Sequence, residues 1–258
     1  MIESTTMPAQ FDFSSNQLAI SVVSHGQGTL LRHLLEDLRP VAGAGASVIV
    51  TVNIPEDESY LAGLGYSAQV LRNSAPKGFG ANHNQAFQQA DCDWFAVVNP
   101  DIRCDATVFA ALIDAQPGAA AGVCAPRVRS AEGRVEDSAR RHPSIARIAR
   151  RVWLRARGIK PGPDYALHGS VPIRVDWAAG MFLVFAASAY RAVGGFDERY
   201  FMYLEDADIC RRLGQAGRDV LLLPSVDVVH DARRATGRSW QHLRWHLASL
   251  ASYLRRHA

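Results

Sequence analysis

Long apolar runs, closely spaced cysteines and complete nucleotide-binding fingerprints are all missing from this 258-residue chain. No uninterrupted apolar stretch approaches the ~20 residues that cross a bilayer, so we expect no transmembrane helix. The four cysteines show no CxxC spacing, which argues against a zinc ribbon or a disulfide scaffold and favours a reducing cytoplasm. Residues 1–16 contain neither the basic nor the apolar segment of a signal peptide.

The chain does contain enough apolar material to bury a core. Hydrophobic residues make up 48% and charged residues 21%, which excludes wholesale disorder and predicts one α/β domain with an appendage. The net charge of +3 is unevenly distributed, because residues 127–160 and 231–258 are rich in arginine. Such segments favour phosphate-rich partners, which are nucleic acid, anionic lipid or a diphosphate, although they are also typical of solvated helix faces.

Strand and helix patterns alternate over the first half of the chain. Short apolar runs predict strands, and apolar residues at helical spacing predict helices. The strands are expected at 18–24, 47–52, 68–71, 94–98 and 121–124, and the helices at 30–38, 79–90 and 106–113. This alternation predicts an α/β fold with a mostly parallel, doubly wound sheet, whose ligands bind at the carboxyl ends of strands. Later patterns predict strands at 181–185 and 219–223 and helices at 205–216 and 237–256.

Two motifs follow predicted strands and suit a phosphate ligand. Asn99-Pro100-Asp101 ends an apolar strand, where a carboxylate suits a hard divalent cation, although Asn-Pro also favours an ordinary turn. The segment 73–84 contains Gly78 and Gly80, which allow close backbone approach, before a helix N-terminus that attracts anions. An ordinary strand-to-helix loop explains this segment equally well, since it lacks a complete GxGxxG or Walker A pattern.

Two further motifs lie in the C-terminal half. Glu205, Asp206 and Asp208 stand at a predicted helix start, where acids suit the helix dipole, and one of them is a candidate general base. His230 ends an apolar stretch and precedes a basic loop that suits a diphosphate, although a lone histidine is more often structural. The arginines of that loop are Arg233, Arg234 and Arg238.

Taken in order, these motifs resemble glycosyltransferase family 2, the inverting enzymes with the GT-A fold. The resemblance runs from Ala19 to Arg238 and is carried by an ordered set of short segments: Ser24-His25, Asn53, 73–84, Asn99-Pro100-Asp101, Ala179-Gly180-Met181-Phe182, Gly194 to Glu198, Glu205-Asp206-x-Asp208 with Arg211, and His230. Within the family the chain looks most similar to the rhamnosyltransferase-like members that build bacterial cell-surface polysaccharides.

The resemblance implies a role for each matching residue. Asp206, with Glu205 beside it, is implied to be the catalytic base, and Asp101 and His230 are implied to hold Mg²⁺ or Mn²⁺. Donor binding is implied for Ser24, His25, Asn53, Asn73, Lys77, Gly78, Phe79, Gly80, Asn84, Asn99, Asp101, Arg233 and Arg238. Acceptor binding is implied for Gly180, Met181, Asp208 and Arg211. Two positions depart from the family pattern: Asn99 stands where many members have Asp, and Asn53 replaces an Asp-Asn pair.

The implied substrates are a nucleotide-diphosphate sugar, with dTDP-L-rhamnose as the best guess, and a saccharide linked to a polyprenyl diphosphate. We divide the chain into an extension (1–17), a GT-A domain (18–238) and an amphipathic helix (239–258). Within the domain, 18–125 is expected to bind the donor and 126–238 to hold the acceptor and the base. The sequence leaves the oligomeric state open.

Three other functions compete with this interpretation. A sugar-phosphate nucleotidyltransferase should have a basic residue in a Gly-rich loop directly after the first strand, and none precedes Arg32. A catalytically degenerate scaffold is suggested by Asn99 but disfavoured by intact Asp101, Asp206 and His230. Nucleic-acid binding has the basic segments in its favour but no reading element, so we expect no nucleic-acid partner.

Two stretches have the pattern of an interfacial helix. At 145–157, apolar side chains fall on one arc of a helical wheel and arginines on the other, which predicts binding to anionic headgroups at the inner face of the cytoplasmic membrane. At the C-terminus, Trp240, Leu243, Leu247, Leu250, Ala251 and Leu254 form a second stripe. For that stripe, packing on the catalytic domain is the preferred prediction.

Overall fold

The computed structural model describes Phe13, residues 17–231 and residues 240–257. Most of the predicted extension 1–17 therefore lies outside the described residues. Phe13 is buried in the core, and its N–H donates to the Ala44 carbonyl at 2.7 Å. Within the described residues, none of the helices has both the length and the apolar composition needed to cross a membrane.

The elements alternate as predicted up to β4 and become less regular after it. The strands are β1 (Leu18–Ser24), β2 (Ser47–Val52), β3 (Ala68–Arg72), β4 (Trp94–Val98), β5 (Ile102–Arg103), β6 (Val123–Ser130), β7 (Ala139–Arg140), β8 (Ile173–Arg174), β9 (Trp177–Ala178), β10 (Phe182–Ala186) and β11 (Val220–His230). The helices are α1 (Gly28–Asp37), α2 (Arg39–Gly43), α3 (Phe79–Gln88), α4 (Thr107–Asp114), α5 (Ile145–Ala156), α6 (Ala187–Ala192), α7 (Glu205–Gln215) and α8 (Trp240–His257).

The main sheet has the order β3-β2-β1-β4-β10-β6-β11-β5, with β8 also paired to β11. The first four strands in this order are parallel, as expected. The prediction of a mostly parallel sheet holds, since β6 and β11 also pair in parallel, but β10 runs antiparallel to both β4 and β6. Between β6 and β10 the chain runs through β7, α5, β8 and β9, and α5 has no buried residue, so it does not pack on the sheet as the crossover helix between parallel strands would.

The core fills both faces of this sheet. In β4, Phe95 and Val97 point to one apolar cluster while Ala96 and Val98 point to the other, following the period of two of a strand. The five residues 94–98 therefore form a near-continuous apolar run, which is the pattern of a strand covered by helices on both faces. This burial fixes the register of the central strands, and it places their carboxyl ends side by side.

The two amphipathic helices differ in how they meet the domain. No residue of α5 is fully buried, and Ile145, Val152 and Trp153 are 66%, 61% and 51% exposed. The packing expected for the C-terminal stripe holds at Leu250, which packs against the core, but Trp240, Leu243 and Leu247 face solvent.

The face of α8 that packs on the domain is the more polar one. Trp245 lies 4.8 Å from the Phe201 ring, Ser249 Oγ donates to the Met202 carbonyl at 2.8 Å, and Tyr253 is fully buried. The loop at 201–203 offers rings and carbonyls as partners, so rings and hydroxyls on α8 are buried there instead of the leucine stripe.

Candidate active site

Amide side chains meet at the carboxyl edge of the parallel strands. The Asn53 amide, after β2, donates to the Lys77 carbonyl at 3.0 Å and lies 3.1 Å from His25 Nδ1. Asn53 Oδ1 accepts the Lys77 backbone N–H at 2.8 Å and the Asn73 amide at 2.9 Å. The Asn73 amide also donates to Asn82 Oδ1 at 2.6 Å. The fold thus brings together four of the residues predicted to bind the donor, and Asn82 joins them.

Ser24 lies beneath this network. Its side chain is fully buried, and its carbonyl accepts the Asn53 N–H at 2.9 Å. Ser24 therefore supports the network from below, where we had predicted contact with the donor. Lys77, by contrast, is exposed, and its Nζ donates to Gln85 at 2.5 Å.

Gly78 and Gly80 allow a close approach, but of protein rather than of the predicted ligand. A Cβ at Gly78 would lie 2.6 Å from the Phe201 carbonyl oxygen, and one at Gly80 would lie 2.5 Å from Phe196 Cβ. The intervening Phe79 N–H donates to the same Phe201 carbonyl at 2.9 Å. These glycines therefore fix α3 against the segment that precedes α7, so the amide network and the acidic helix start are rigidly connected.

Asn84 also has a structural environment. Its buried amide donates to the Phe196 carbonyl at 2.8 Å and to Glu198 at 2.9 Å. Its Oδ1 accepts the Tyr190 hydroxyl at 2.6 Å and the Phe196 N–H at 2.9 Å. These four bonds occupy both ends of the side chain, so the geometry favours anchoring of the 194–198 turn over the predicted donor contact.

Asp101 and His230 meet although 129 positions separate them. The pairing of β11 with β5 places His230 opposite Ile102, which is the residue after Asp101. His230 Nε2 lies 3.1 Å from Asp101 Oδ2, and His230 Nδ1 lies 3.1 Å from Glu136 Oε2. Glu136 is held there by its own N–H, which donates to the Val128 carbonyl of β6 at 2.9 Å. An imidazole is thus clamped between two carboxylates.

The clamped imidazole is basic. Its hydrogen bond with Asp101 raises the pKa of His230 to about 9, and the negative charge of Glu136 acts in the same direction. Partial burial of the ring opposes the shift without cancelling it. In this arrangement His230 is therefore an imidazolium at neutral pH.

The residues at this edge could supply only part of the coordination shell of a divalent cation. Asp101 Oδ1 is buried without a hydrogen-bond partner, which leaves a lone pair for a cation. Within residues 17–231 and 240–257, however, there is no group of three or more acidic, histidine or cysteine side chains arranged to hold a metal. Mg²⁺ is commonly bound through one or two carboxylates with substrate phosphates and water as the other ligands, and Asp101 fits that pattern, while His230 could join only after it loses its proton.

The acidic pair at the start of α7 has two different environments. Asp206 is partly exposed, and its carboxylate accepts the Gly180 N–H at 3.1 Å and the Ala207 N–H at 2.8 Å. Glu205 is buried, and its Oε2 has no hydrogen-bond partner. Removal from water raises the pKa of both carboxyls, and that of Glu205 is raised further by the adjacent Asp206. The N–H bonds favour the ionised form of Asp206, so Glu205 holds the proton and Asp206 carries the charge.

The backbone before this pair is strained. Tyr203 and Leu204 have φ values of 73° and 68°, which are left-handed conformations that non-glycine residues rarely adopt. Each costs on the order of 1 kcal/mol. Tyr203 is held in place by α8, because its hydroxyl lies 2.8 Å from His242 Nδ1. The strained pair turns the chain so that Glu205 enters the protein and Asp206 faces Gly180.

Gly180 and Met181 connect the two sides of the site. The Gly180 N–H donates to Asp206, while the Met181 carbonyl accepts the Asn99 N–H at 2.9 Å. Two consecutive residues therefore link the base candidate to the Asn99-Pro100-Asp101 turn. We had predicted acceptor contact for both residues, and their position between donor turn and base is compatible with it.

Asp208 and Arg211 were also predicted to contact the acceptor, and the structure places both elsewhere. Asp208 is fully buried, and its carboxylate binds Arg212 at 2.7 Å and His257 at 2.8 Å. Arg211 donates to the His257 carbonyl at 2.8 Å. Both lie on the side of α7 that anchors the end of α8, because positions i and i+3 share a helix face. This geometry favours an anchoring role for them.

Two residues of the site escaped the sequence analysis, and three predictions fall outside its described part. Glu136 is one of only three acids in an arginine-rich segment, which is a weak signal. Asn82 lies inside the segment 73–84 but resembled any other polar helix residue. The predicted diphosphate contacts of Arg233, Arg234 and Arg238 lie outside the described residues.

This chain is similar in sequence to known proteins over nearly its whole length. Residues 20–195 match the model of the MobA-like NTP transferase domain. The chain is 32% identical to an N-acetylglucosaminyl-diphospho-decaprenol L-rhamnosyltransferase of Mycobacterium tuberculosis, over 92% of this chain and 83% of that protein. It is 30% identical to rhamnosyltransferase WbbL of Escherichia coli K12, over 92% of both proteins.

This chain belongs to glycosyltransferase family 2. It falls in the rhamnosyltransferase-like branch and is a glycosyltransferase, as the motif order predicted. The NTP-transferase match ends at residue 195, before Glu205, Asp206 and His230. The matches to the two rhamnosyltransferases extend over 92% of the chain, further than the NTP-transferase match does.

Solved structures confirm the GT-A fold of this glycosyltransferase. GalNAc-T7, solved with UDP, GalNAc and Mn²⁺, superposes with a TM-score of 0.67 at 15% identity, over 92% of this chain and 47% of that one. Mannosyltransferase PcManGT of Pyrobaculum calidifontis, solved with GDP-Man and Mn²⁺, gives 0.62 at 13% identity, over 94% and 65%. This chain thus spans about half of GalNAc-T7. Both neighbours are solved with Mn²⁺.

Proposed function

We propose that this glycosyltransferase moves L-rhamnose from dTDP-L-rhamnose, with inversion, to a hydroxyl of a saccharide carried on a polyprenyl diphosphate. The observation that carries the proposal is the link through Gly180 and Met181, which holds Asp206 beside the Asn99-Pro100-Asp101 turn. An inverting transfer needs a base on the acceptor side and positive charge at the leaving diphosphate, and this link holds one next to the other. The names of the two relatives support the sugar, and one of them supports the acceptor type.

The reaction follows from the ionisation of the acidic pair. Asp206 accepts the proton of the acceptor hydroxyl as its oxygen bonds to the sugar's anomeric carbon. The bond from that carbon to the diphosphate oxygen breaks, and the nucleotide diphosphate leaves with the electron pair. Glu205 keeps its proton and so does not compete for the new one. The raised pKa of Asp206 makes it a stronger base than an exposed aspartate.

Donor contacts are assigned to the edge of the sheet. We assign the nucleoside to the edge beside the network of His25, Asn53 and Asn73, where Asn73 Oδ1 has no hydrogen-bond partner and Lys77 is exposed. Asp101 and His230 would hold the divalent cation, which neutralises charge on the diphosphate when it is bound. As an organisation of the chain, we propose donor binding by 18–125 and acceptor binding with catalysis by 126–238.

Transfer itself is the direct test. Purified protein is incubated with dTDP-L-rhamnose and GlcNAc linked to a short polyprenyl diphosphate, and the product is identified by mass spectrometry and by NMR of the anomeric configuration. We expect a rhamnosyl product of inverted configuration and one dTDP released per transfer. Release of dTDP without a rhamnosyl product would show hydrolysis alone. If neither the product nor released dTDP is detected, the proposed function is contradicted.

Asp101→Ala is expected to weaken binding of dTDP in a cation-dependent way. Asp101 is the only anionic side chain of its turn, and its free Oδ1 is the clearest position for a cation. Calorimetric titration of dTDP with Mg²⁺ or with chelator measures the effect, and the matched control is Asp91→Ala, an exposed aspartate beyond the opposite end of β4. Wild-type binding that chelator does not change would show that Asp101 has no cation to hold.

The affinity for Mg²⁺ with dTDP is expected to rise between pH 6.5 and pH 9. Because the pKa of His230 is raised to about 9, its proton competes with a cation throughout this window and is lost as the pH passes through that value. The same titrations in steps of pH, on wild type and on His230→Gln, measure the effect. The variant should bind more weakly, and its affinity should no longer follow pH; equal pH dependence in both proteins would contradict the assignment.

We also propose that the protein binds peripherally to the anionic inner face of the cytoplasmic membrane. The support comes from α5, whose exposed Ile145, Val152 and Trp153 lie on one arc. Arginines flank this arc on both sides, and such a combination is typical of helices that lie in a bilayer interface. A lipid-linked acceptor gives such a surface a purpose.

A further inference from the structure

A cleft of about 910 Å³ separates α5 from the segment 135–139, and the loop 158–168 forms its third wall. A smaller cavity of about 330 Å³ shares Val135, Glu136 and Lys160 with this cleft and is lined by His230 as well. The two spaces therefore meet at Glu136, which touches the imidazole of the proposed diphosphate site. The cleft has the size of an organic ligand site and lies next to the proposed active site.

Two of the basic side chains that line the cleft have no acidic partner in the described part of the chain. Among its acids, Asp137 is paired with Arg140 at 3.0 Å, Asp164 is paired with Arg151 at 3.1 Å, and Glu136 contacts His230. Arg155 and Lys160 also line the cleft, and in the described part of the chain neither has an acidic partner. Two cations without carboxylates on the wall of one cleft suit an anionic ligand with several oxygens, such as a diphosphate.

We propose that this cleft binds the acceptor, with Arg155 and Lys160 contacting the diphosphate that joins the saccharide to its polyprenyl chain. The inference rests on the proposed function and adds the location and the contacts of the acceptor. It also explains why α5 is amphipathic in two ways. One flank of the helix lines the cleft through Arg151 and Arg155, while its apolar arc stays exposed for the acyl region of a bilayer.

The cleft lies where a bound saccharide could reach the proposed base. Ala139 lines it, and the next residue, Arg140, is close enough to Asp206 for its charge to stabilise that carboxylate. A saccharide attached to a diphosphate near Arg155 and Lys160 would therefore extend along β7 towards the base. The polyprenyl chain would leave the cleft on the side of α5, where the membrane is proposed to lie.

The test compares two acceptors in detergent solution, where membrane binding has no influence. One is GlcNAc on a short polyprenyl diphosphate, and the other is an octyl glycoside of GlcNAc, which lacks the diphosphate. In the double variant Arg155→Ala/Lys160→Ala, we expect KM for the diphosphate acceptor to rise roughly 10- to 100-fold, as for the loss of charge-assisted hydrogen bonds. KM for the glycoside and for dTDP-L-rhamnose should stay unchanged. The matched control, Arg147→Ala/Arg150→Ala, removes two arginines of α5 that do not line the cleft and should leave all three values unchanged.

A binding measurement separates this inference from the proposed function. Calorimetric titration with farnesyl diphosphate needs no transfer, and we expect binding by wild type and by the control but not by the double variant. Equal binding by all three proteins, or none by wild type, would overturn the cleft assignment. An equal rise of KM for both acceptors would overturn it too, since the cations would then act on something other than the diphosphate. A wild type that binds farnesyl diphosphate but transfers no rhamnose would instead contradict the proposed function alone.

Discussion

Asp206→Asn should abolish transfer while leaving dTDP binding nearly intact. The substitution keeps the size of the side chain and an oxygen for the Gly180 N–H, but it removes the proton acceptor. Loss of a general base typically lowers the rate by ~10²–10⁴-fold, and the nucleotide does not depend on a group that faces the acceptor. Single-turnover rates with the lipid-linked acceptor, together with calorimetric titration of dTDP, measure the two effects separately.

The neighbouring carboxyl provides the matched control. Glu205→Gln removes an acid that is already protonated, so it should lower the rate far less than Asp206→Asn does. The wild-type rate should also fall with decreasing pH as Asp206 takes up a proton, beginning above the pH at which an ordinary aspartate titrates because its pKa is raised. A near wild-type rate in Asp206→Asn would show that another group is the base, with Glu205 as the next candidate.

Reversing three arginines on and directly after α5 should release the protein from anionic vesicles. Arg147, Arg150 and Arg157 are exposed and do not line the cleft, so Arg147→Glu/Arg150→Glu/Arg157→Glu tests the membrane surface by itself. Each basic residue near an anionic surface contributes roughly 1 kcal/mol, so the affinity should fall on the order of 100-fold. Co-sedimentation with vesicles of phosphatidylglycerol and phosphatidylcholine at low salt measures it.

Charge-preserving and apolar variants complete that experiment. The triple Arg→Lys variant should bind as wild type does, and added salt should weaken both. Val152→Asp/Trp153→Asp should reduce binding even with every arginine present, since the apolar arc would no longer enter the bilayer. Wild-type protein that stays in the supernatant at low salt, or a Glu variant that sediments fully, would exclude α5 as the membrane anchor.

The sequence predicted elements whose signal is local. β1, β2 and β4 are buried on both faces, so each is a continuous apolar run that needs no knowledge of its neighbours. The start of α7 was equally visible from its three acids. Contacts between distant segments were not visible. The meeting of Asp101 with His230 was expected only from the family resemblance, and it depends on a two-residue pairing between β5 and β11.

Several predictions treated a residue without the partner that the structure gives it. Gly78 and Gly80 suggested the close approach of a ligand. The groups that occupy the space of their missing side chains are instead the Phe201 carbonyl and Phe196. Asp208 resembled its two acidic neighbours in sequence, yet its place on α7 points it at Arg212 and His257. The leucine stripe of α8 resembled a packing face, although the opposite face fits the rings and carbonyls of residues 201–203.

The position of β10 between β4 and β6 has a consequence for synthesis on the ribosome. The parallel strands β1 to β4 emerge first and can pair as they appear, but the inner edge of β4 stays open until residue 186 has been made. During that interval the nascent chain presents a long apolar strand edge, which is a template for pairing with another chain. A chain stopped at residue 125 would keep that edge permanently. Residues 18–125, the proposed donor-binding part, are therefore expected to depend on translation of the residues that follow, or on chaperones, to avoid aggregation.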